Sequence, residues 1–144
     1  MKRSFFAISL LCALLLGACN DKNGDYSDQY NPEVCNDLAV RIDHRDSLSQ
    51  ADYTAMIGQT EAIIKYLISE HKRIEAEPQD EHASDWRVLY SDPDYMERFG
   101  YFFTLGSALY RADTKHLFDS RNQRLYKTLD DYNTELASVS IHSN

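Results

Sequence analysis

Residues 53–74 read YTAMIGQTEAIIKYLISEHKRI, and this stretch decides the fold. Its apolar side chains recur every three or four residues, which is the spacing of one face of an α-helix. The members of that face are Tyr53, Met56, Ile57, Thr60, Ile63, Ile64, Leu67, Ile68, His71 and Ile74. At about 100° per residue they span roughly 140° of the helix surface, so the sequence predicts a long helix that buries one side.

The ends of this helix follow from the residues around it. Ser49 can cap the first turn with its hydroxyl, and Asp52 three residues later completes a variant of the capping box. Pro78 cannot continue a helix, so the helix is expected to end near Ala76. Its length is then about 40 Å.

Three further stretches carry helical apolar stripes. They run from Pro32 to about Arg45, from Asp92 to about Arg111, and from Lys115 or Asp119 to about Val139. Asn31 and Asp92 each precede a proline, which fits a capping side chain followed by proline at the first helical position. The alternation typical of strands is absent from the sequence, so helices are expected to pack against each other in a bundle.

The stripe of the third stretch is rich in aromatic residues. Its expected core face consists of Tyr95, Phe99, Phe102, Phe103, Gly106, Leu109 and Tyr110. We interpret Gly106 as a notch that lets another helix approach closely, at a cost in helix propensity of about 1 kcal/mol. Tyr101 and Leu105 point away from this face and are expected at the surface. The aromatic stripe is read as core, and the alternative is a pocket for an apolar ligand.

The N-terminus has the pattern of an export signal. Lys2 and Arg3 precede an apolar run over residues 5–16, which spans about 18 Å as a helix and is too short to cross a bilayer. The run ends in Leu16-Gly17-Ala18-Cys19, which resembles the lipobox of bacterial lipoproteins. The resemblance implies cleavage between Ala18 and Cys19, a diacylglyceryl thioether on Cys19, and acylation of its new amine, for example by palmitate.

This resemblance divides the chain into three parts. Residues 1–18 are the expected signal peptide, residues 19–31 the lipidated cysteine with a polar, flexible tether, and residues 32–144 the helical bundle domain. The expected fold class is therefore all-α, a small bundle of three long helices and one short helix after a lipidated N-terminal tether. The mature part resembles small, Tyr-rich helical lipoproteins of Bacteroides-type bacteria, a likeness that implies no particular activity.

Charge narrows the classes of partner. The formal net charge of the chain is −8, and removal of residues 1–18 leaves 13 basic and 23 acidic residues. Nucleic-acid binding is excluded, because phosphates require clustered basic residues. Anionic lipid repels such a domain, so the membrane contact is expected to be the lipid on Cys19. Aspartate directly after the lipidated cysteine resembles an inner-membrane retention signal, and this chain has Asn20 there instead. The outer membrane is therefore favoured, without a choice between its periplasmic and surface faces.

The remaining candidates for chemistry are few. Cys35 is the one cysteine left after processing, and we expect it to pack as a small apolar residue, with pairing between chains as the alternative. His71 lies on the strongest apolar stripe and is expected to be a core histidine with a hydrogen-bond partner, with a ligand or pH-sensing role as the alternative. Asp113 and His116 are the nearest approach to a metal-binding pair, placed at a helix start where aspartate is favoured anyway.

Other signatures of catalysis and cofactor binding are missing. The sequence contains no Glu-x-x-His pair for a di-metal site, no Gly-x-Ser-x-Gly turn and no Gly-rich phosphate loop. The carboxylates of Glu61, Glu70, Asp130 and Asp131 are expected on polar, solvated helix faces. No metal, no cofactor and no catalytic residue is predicted.

The expected function is that of a non-enzymatic, membrane-anchored envelope lipoprotein that binds another macromolecule. One alternative is an acidic immunity or inhibitor protein that neutralises a basic toxin or lysozyme by charge complementarity. A second is an enzyme with a site made of His71 and carboxylates in one deep pocket. A third is a carrier of a small apolar ligand, which requires a cavity of several hundred Å³ beneath the third helix.

Overall fold

The computed structural model describes residues 29–76 and 86–141, and within them the chain forms helices and no strand. The elements in these ranges are α1 (Pro32–Asp43), α2 (Gln50–Ala76), a short 3₁₀ helix (Trp86–Ser91), α3 (Pro93–Thr114) and α4 (Ser120–Ile141). The predicted all-α bundle with three long helices and one short helix is confirmed. The predicted cleavage and lipidation site at Ala18 and Cys19 lies outside the described residues.

The predicted helix starts are confirmed by their capping contacts. The side chains of Asn31 and Asp92 each accept hydrogen bonds from the two backbone amides that follow the proline. Ser49 and Asp52 form a reciprocal capping box, in which each backbone N–H donates to the other's side chain. The guanidinium of Arg41 binds both carboxylate oxygens of Asp52, at 2.7 and 2.8 Å, and so ties α1 to the start of α2. These contacts, with that of Arg41 foremost, hold the pKa of Asp52 well below its usual value.

Helix α2 is the centre of the bundle. The other three helices all pack against it, and α3 also packs against α1. Every residue of the predicted apolar face of α2 is buried. Burial extends beyond that face, because neighbours on two sides also cover the polar residues Thr54, Gln59 and Glu61. The helix was expected to bury one face only, and its middle turns are instead buried on all sides.

Helix α3 is rotated relative to the sequence-based expectation. Leu105, predicted to be exposed, is fully buried together with Leu109, whereas Phe103 and Tyr110 of the predicted core face are 58% and 63% exposed. The physical reason is that α3 packs against α1 as well as α2. The side that carries Leu105 and the small residue Ala108 is drawn into the core, and the rings of Phe103 and Tyr110 are left at its edge.

Helix α4 packs on α2 through a narrower stripe. Leu129 is buried, and Leu125, Tyr132 and Leu136 are half-buried. Phe118, just before the helix, is buried against Tyr53, with ring centroids 5.4 Å apart. In residues 29–76 and 86–141, no helix combines the length and the apolar character that crossing a membrane requires.

The chain enters the bundle through a defined contact. The side-chain amide of Gln59 donates to the carbonyl of Gln29 at 2.9 Å, and its oxygen accepts from the backbone N–H of Asn31 at 2.7 Å. Arg98 lies over the ring of Tyr30, 4.3 Å from its centroid. The last three residues of the expected tether are therefore held by the domain.

Candidate functional site

A groove of about 540 Å³ runs between α3 and α4, with α2 at its floor. Its lining residues are Thr60 from α2, Phe102, Phe103, Gly106, Ser107, Leu109, Tyr110 and Arg111 from α3, and Tyr126, Leu129, Asp130 and Asn133 from α4. On α3 the wall extends from Phe103 to Tyr110 and on α4 from Tyr126 to Asn133, which is about 10 Å, or two helical turns, on each side. This size lies within the range of ligand-binding clefts.

The α3 wall is aromatic and interrupted by one glycine. Phe103 packs edge-on against Phe99, with centroids 4.9 Å apart, and also contacts the ring of Phe102 at 5.7 Å. A Cβ atom at Gly106 would meet nothing within 4 Å. The expectation that Gly106 is a notch filled by a neighbouring helix is therefore wrong. Because α3 is rotated, Gly106 forms a gap in the groove wall, between the exposed rings of Phe103 and Tyr110.

Thr60 of α2 lies beneath the groove, and its hydroxyl is buried without a partner among the described residues. It is 1% exposed, and its Oγ1 has no hydrogen-bond partner among the described residues. Threonines inside helices commonly satisfy their hydroxyl locally, and here four of them donate to the carbonyl four residues earlier. These four are Thr54, Thr104, Thr128 and Thr134. Thr60 makes no such bond, and a buried hydroxyl left unpaired costs about 1–3 kcal/mol.

The rim of the groove is polar and carries one charge of each sign. Arg111 stands on the α3 wall and Asp130 on the α4 wall, and both are exposed. Tyr126 packs its ring on Phe118, with centroids 5.3 Å apart. Burial raises the pKa of Tyr126, helped by the carboxylates of Asp113 and Asp130, so this phenol is neutral at physiological pH. The groove thus combines an aromatic lining with a polar rim.

A smaller cavity of about 190 Å³ contains His71. It lies further along the cleft between α3 and α4 and is lined by Leu67, His71, Tyr90, Tyr95, Phe99, Leu136 and Ser140. His71 is buried, and its Nε2 lies 3.0 Å from the hydroxyl of Tyr95, so the predicted core histidine with a hydrogen-bond partner is confirmed. Burial lowers the pKa of His71 and raises that of Tyr95 to about 12. No carboxylate lines this cavity, so the His71–carboxylate cluster that the enzyme alternative needs is not formed there.

Cys35 is buried as a small core residue, as predicted. It is fully inaccessible, and its Sγ lies 3.5 Å from Oε1 of Gln59. Burial raises the pKa of the thiol to about 11, with a smaller contribution from Glu97. At neutral pH the thiol is therefore protonated, a state in which it is a poor nucleophile.

The other candidate residues are dispersed. Glu61 was expected on a solvated face, but it is 6% exposed and pairs with Lys65 at 2.7 Å, because α2 is covered on several sides. Asp113 and His116 lie at the C-terminal end of α3 rather than at a helix start, since α4 begins only at Ser120. Within the described ranges, no three His, Cys, Asp or Glu side chains are placed to hold a metal ion.

Sequence reasoning placed Thr60 on the α2 stripe but did not single it out as a site residue. The available signal was its polarity, because Thr60 interrupts the apolar stripe of the helix between Ile57 and Ile63. Tyr126 and Asn133 offered no comparable signal, since polar residues on a surface helix are ordinary.

Comparison of the chain with models of known protein families, with curated proteins and with solved structures finds no match.

Proposed function

We propose that the chain is a lipid-anchored protein of the bacterial envelope that binds another protein through the α3–α4 groove. The observation that carries the binding proposal is the pair of rings, Phe103 and Tyr110, exposed by more than half at the edge of a two-turn groove. Aromatic residues are enriched in the buried centres of protein interfaces, where they supply much of the binding energy. A groove between two helices also suits a helical or extended partner segment.

The groove supports binding rather than catalysis. Its lining contains one carboxylate, Asp130, and no histidine. General acid–base chemistry commonly uses paired groups whose pKa values are pushed apart by their surroundings. The aromatic residues of the groove, with the single charges of Arg111 and Asp130, instead suit the binding of a partner protein.

The anchor is supported by the sequence Leu16-Gly17-Ala18-Cys19 and by Asn20 behind it, which favours the outer membrane. We expect that Cys19→Ala releases the protein from the membrane fraction, because two or three acyl chains on one residue provide the attachment. The measurement is fractionation of cells expressing either form, combined with mass spectrometry of the N-terminus. Membrane-bound Cys19→Ala protein, or an intact initiating methionine on the wild type, contradicts the anchor.

A photocrosslinking experiment tests the groove. Benzoylphenylalanine replaces Tyr110 at the groove and, as a matched control, Val40 on α1, which is 44% exposed. The proposal expects a crosslinked partner from position 110 and none from position 40. Identical products from both positions, or no product from position 110, would refute it.

Gly106→Leu provides a second variant that blocks the groove. The added side chain enters open space rather than the core, and leucine improves helix propensity by about 1 kcal/mol over glycine. The variant is therefore expected to fold normally and to abolish crosslinking from position 110. If the partner is basic, as the acidic-inhibitor alternative predicts, the crosslinking yield also falls with rising salt.

A further inference from the structure

A separate pocket of about 240 Å³ lies at the end of the bundle where α1 and α3 stop. It is bordered by these two helix ends, by the turns that follow them and by the first turn of α2. Its lining contains three basic residues, Arg45, Arg111 and Lys115, and one carboxylate, that of Asp46. The pocket is therefore locally basic in a chain whose formal net charge is −8.

The three cations of this pocket have no partner within the described residues. The side chains of Arg45, Arg111 and Lys115 form neither an ion pair nor a hydrogen bond there. Four other basic residues of the bundle each pair with a carboxylate, namely Arg41, Lys65, Lys72 and Arg73. Because an acidic chain has many carboxylates, three unpaired cations around one pocket leave positive charge available to an anion from outside.

Two matching turns hold the pocket, and each contains a residue in the left-handed backbone region. Arg45 has a φ of 61° and His116 a φ of 56°, where glycine is the favoured residue. In both turns a backbone amide already donates to the helix carbonyl five residues earlier, at 3.0 and 2.9 Å. The helix ends are thus capped by the backbone, and the conformational cost of arginine at position 45 is explained by a role for its side chain in the pocket.

A buried phenol adds a free donor to the lining. Tyr53 is 9% exposed, and its hydroxyl makes no hydrogen bond within the described residues. Unlike the hydroxyl of Thr60, that of Tyr53 retains contact with solvent, so a ligand in the pocket can accept a hydrogen bond from it. The apolar side chains of Ile42, Leu48 and Leu117 also line the pocket and provide surface for the organic part of a ligand.

The balance of charge selects the class of anion. Three cations and the carboxylate of Asp46 sum to about +2, which matches a phosphate monoester, with its charge of about −1.5 to −2 at pH 7, better than a carboxylate. The guanidinium groups of Arg45 and Arg111 have the geometry to bind two phosphate oxygens each. A long chain of phosphates is disfavoured by the acidic surface of the whole protein, whereas a single group is neutralised within the pocket.

We propose that this pocket binds the phosphate monoester group of a small organic molecule. Arg45, Arg111 and Lys115 surround the phosphate, and Tyr53 donates a hydrogen bond to it. The inference does not rest on the proposed function, because the pocket shares only Arg111 with the lining of the α3–α4 groove.

Calorimetric titration of the full-length chain with phenyl phosphate at about pH 7.5, where the monoester is a dianion, tests the proposal. Benzoate is the counterpart with a single negative charge. We expect phenyl phosphate to bind about tenfold more tightly than benzoate, with an affinity that falls as salt rises. Inorganic phosphate and dihexanoyl phosphatidate, a soluble lipid with the same phosphate group, distinguish the sources, because the tightest of the three phosphate probes identifies a free ion, a soluble ester or a lipid headgroup.

Arg45→Gly separates binding from folding. Because glycine suits the left-handed conformation, the unfolding midpoint should not fall, whereas the affinity for phenyl phosphate should fall about tenfold. His116→Gly is the matched control, because it relieves the same conformation in the other turn at a residue that does not line the pocket, and it should keep the affinity of the wild type. Lys115→Gln is a second variant that leaves both left-handed residues in place, and it should weaken binding in the same way.

Arg124→Gln controls for net charge, because it removes one exposed positive charge from α4 outside the pocket. It should change the affinity for phenyl phosphate by less than about twofold. The inference is overturned if none of the phosphate probes binds, if benzoate binds as tightly as phenyl phosphate, or if Arg45→Gly and Lys115→Gln both keep the wild-type affinity. A loss of affinity in His116→Gly or Arg124→Gln as large as that in Arg45→Gly would overturn it equally.

Discussion

Replacing Thr60 by valine is expected to stabilise the protein. The two side chains have nearly the same shape, so the substitution creates no cavity and displaces no neighbour. It removes one buried hydroxyl that has no hydrogen-bond partner among the described residues. Most buried substitutions destabilise a protein, so an increase in stability is a specific outcome.

The magnitude follows from the desolvation of that hydroxyl. A buried polar group without a partner costs about 1–3 kcal/mol, and valine and threonine differ by only a few tenths of a kcal/mol in helix propensity. We take the lower end of this range and expect a gain of about 1 kcal/mol. For a domain of this size such a gain raises Tm by roughly 3–5 °C.

Urea and thermal unfolding of the full-length chain, followed by circular dichroism, measure the change. Thr54→Val is the matched control on the same helix, because the hydroxyl of Thr54 is also buried but pairs with the carbonyl of Gln50 at 2.9 Å and with Asn122 Oδ1 at 2.7 Å. This control should lose about 1–2 kcal/mol, so the same substitution has opposite signs at the two positions. If Thr60→Val destabilises the protein as much as the control does, then the hydroxyl is satisfied in solution, for example by an ordered water, and the reasoning fails.

Three further predictions concern buried polar groups elsewhere in the bundle. Burial lowers the pKa of His71 in the folded protein, so the unfolded chain takes up the proton first as the pH falls. The free energy of unfolding should therefore fall as the pH drops below about 6.5. In urea titrations, His71→Phe should flatten this change between about pH 7.5 and 5.5. Cys35 should resist a thiol reagent in the native protein and react on unfolding, and rapid labelling of the native protein would place it at the surface. Asn122→Ala should cost about 2–3 kcal/mol, because it removes contacts with Thr54 and with the carbonyl and side chain of Gln50; an unchanged unfolding midpoint would show that these bonds contribute nothing.

The helices could be predicted from local signals because their determinants are close together in sequence. Asn31, Ser49 and Asp92 each act on amides within three residues, so capping is visible without knowledge of the fold. The periodicity of α2 likewise predicted its core residues, because a helix with neighbours on several sides buries its apolar face in any arrangement. Those features are properties of the helix itself.

The orientation of α3 could not be predicted, because it depends on a second helix. Its most apolar face contains the large rings, and hydrophobicity alone places Phe103 and Tyr110 in the core. The structure instead buries Leu105 and Ala108 against α1 and α2, a choice decided by packing between distant segments. The groove is a consequence of that rotation, so it was equally invisible in the sequence.

In the proposed lipid-anchored protein, the contact of Gln59 with Gln29 and Asn31 is one point at which tension on the tether reaches the domain. A pull along the N-terminal segment reaches the middle of α2, the longest helix, through these two hydrogen bonds, and it reaches α3 through Tyr30, whose hydroxyl donates to Glu97. Gln59 is also the immediate neighbour of Thr60 in the chain. In the proposed lipid-anchored protein, tension on the tether therefore reaches the longest helix at the residue next to Thr60, beneath the proposed binding groove.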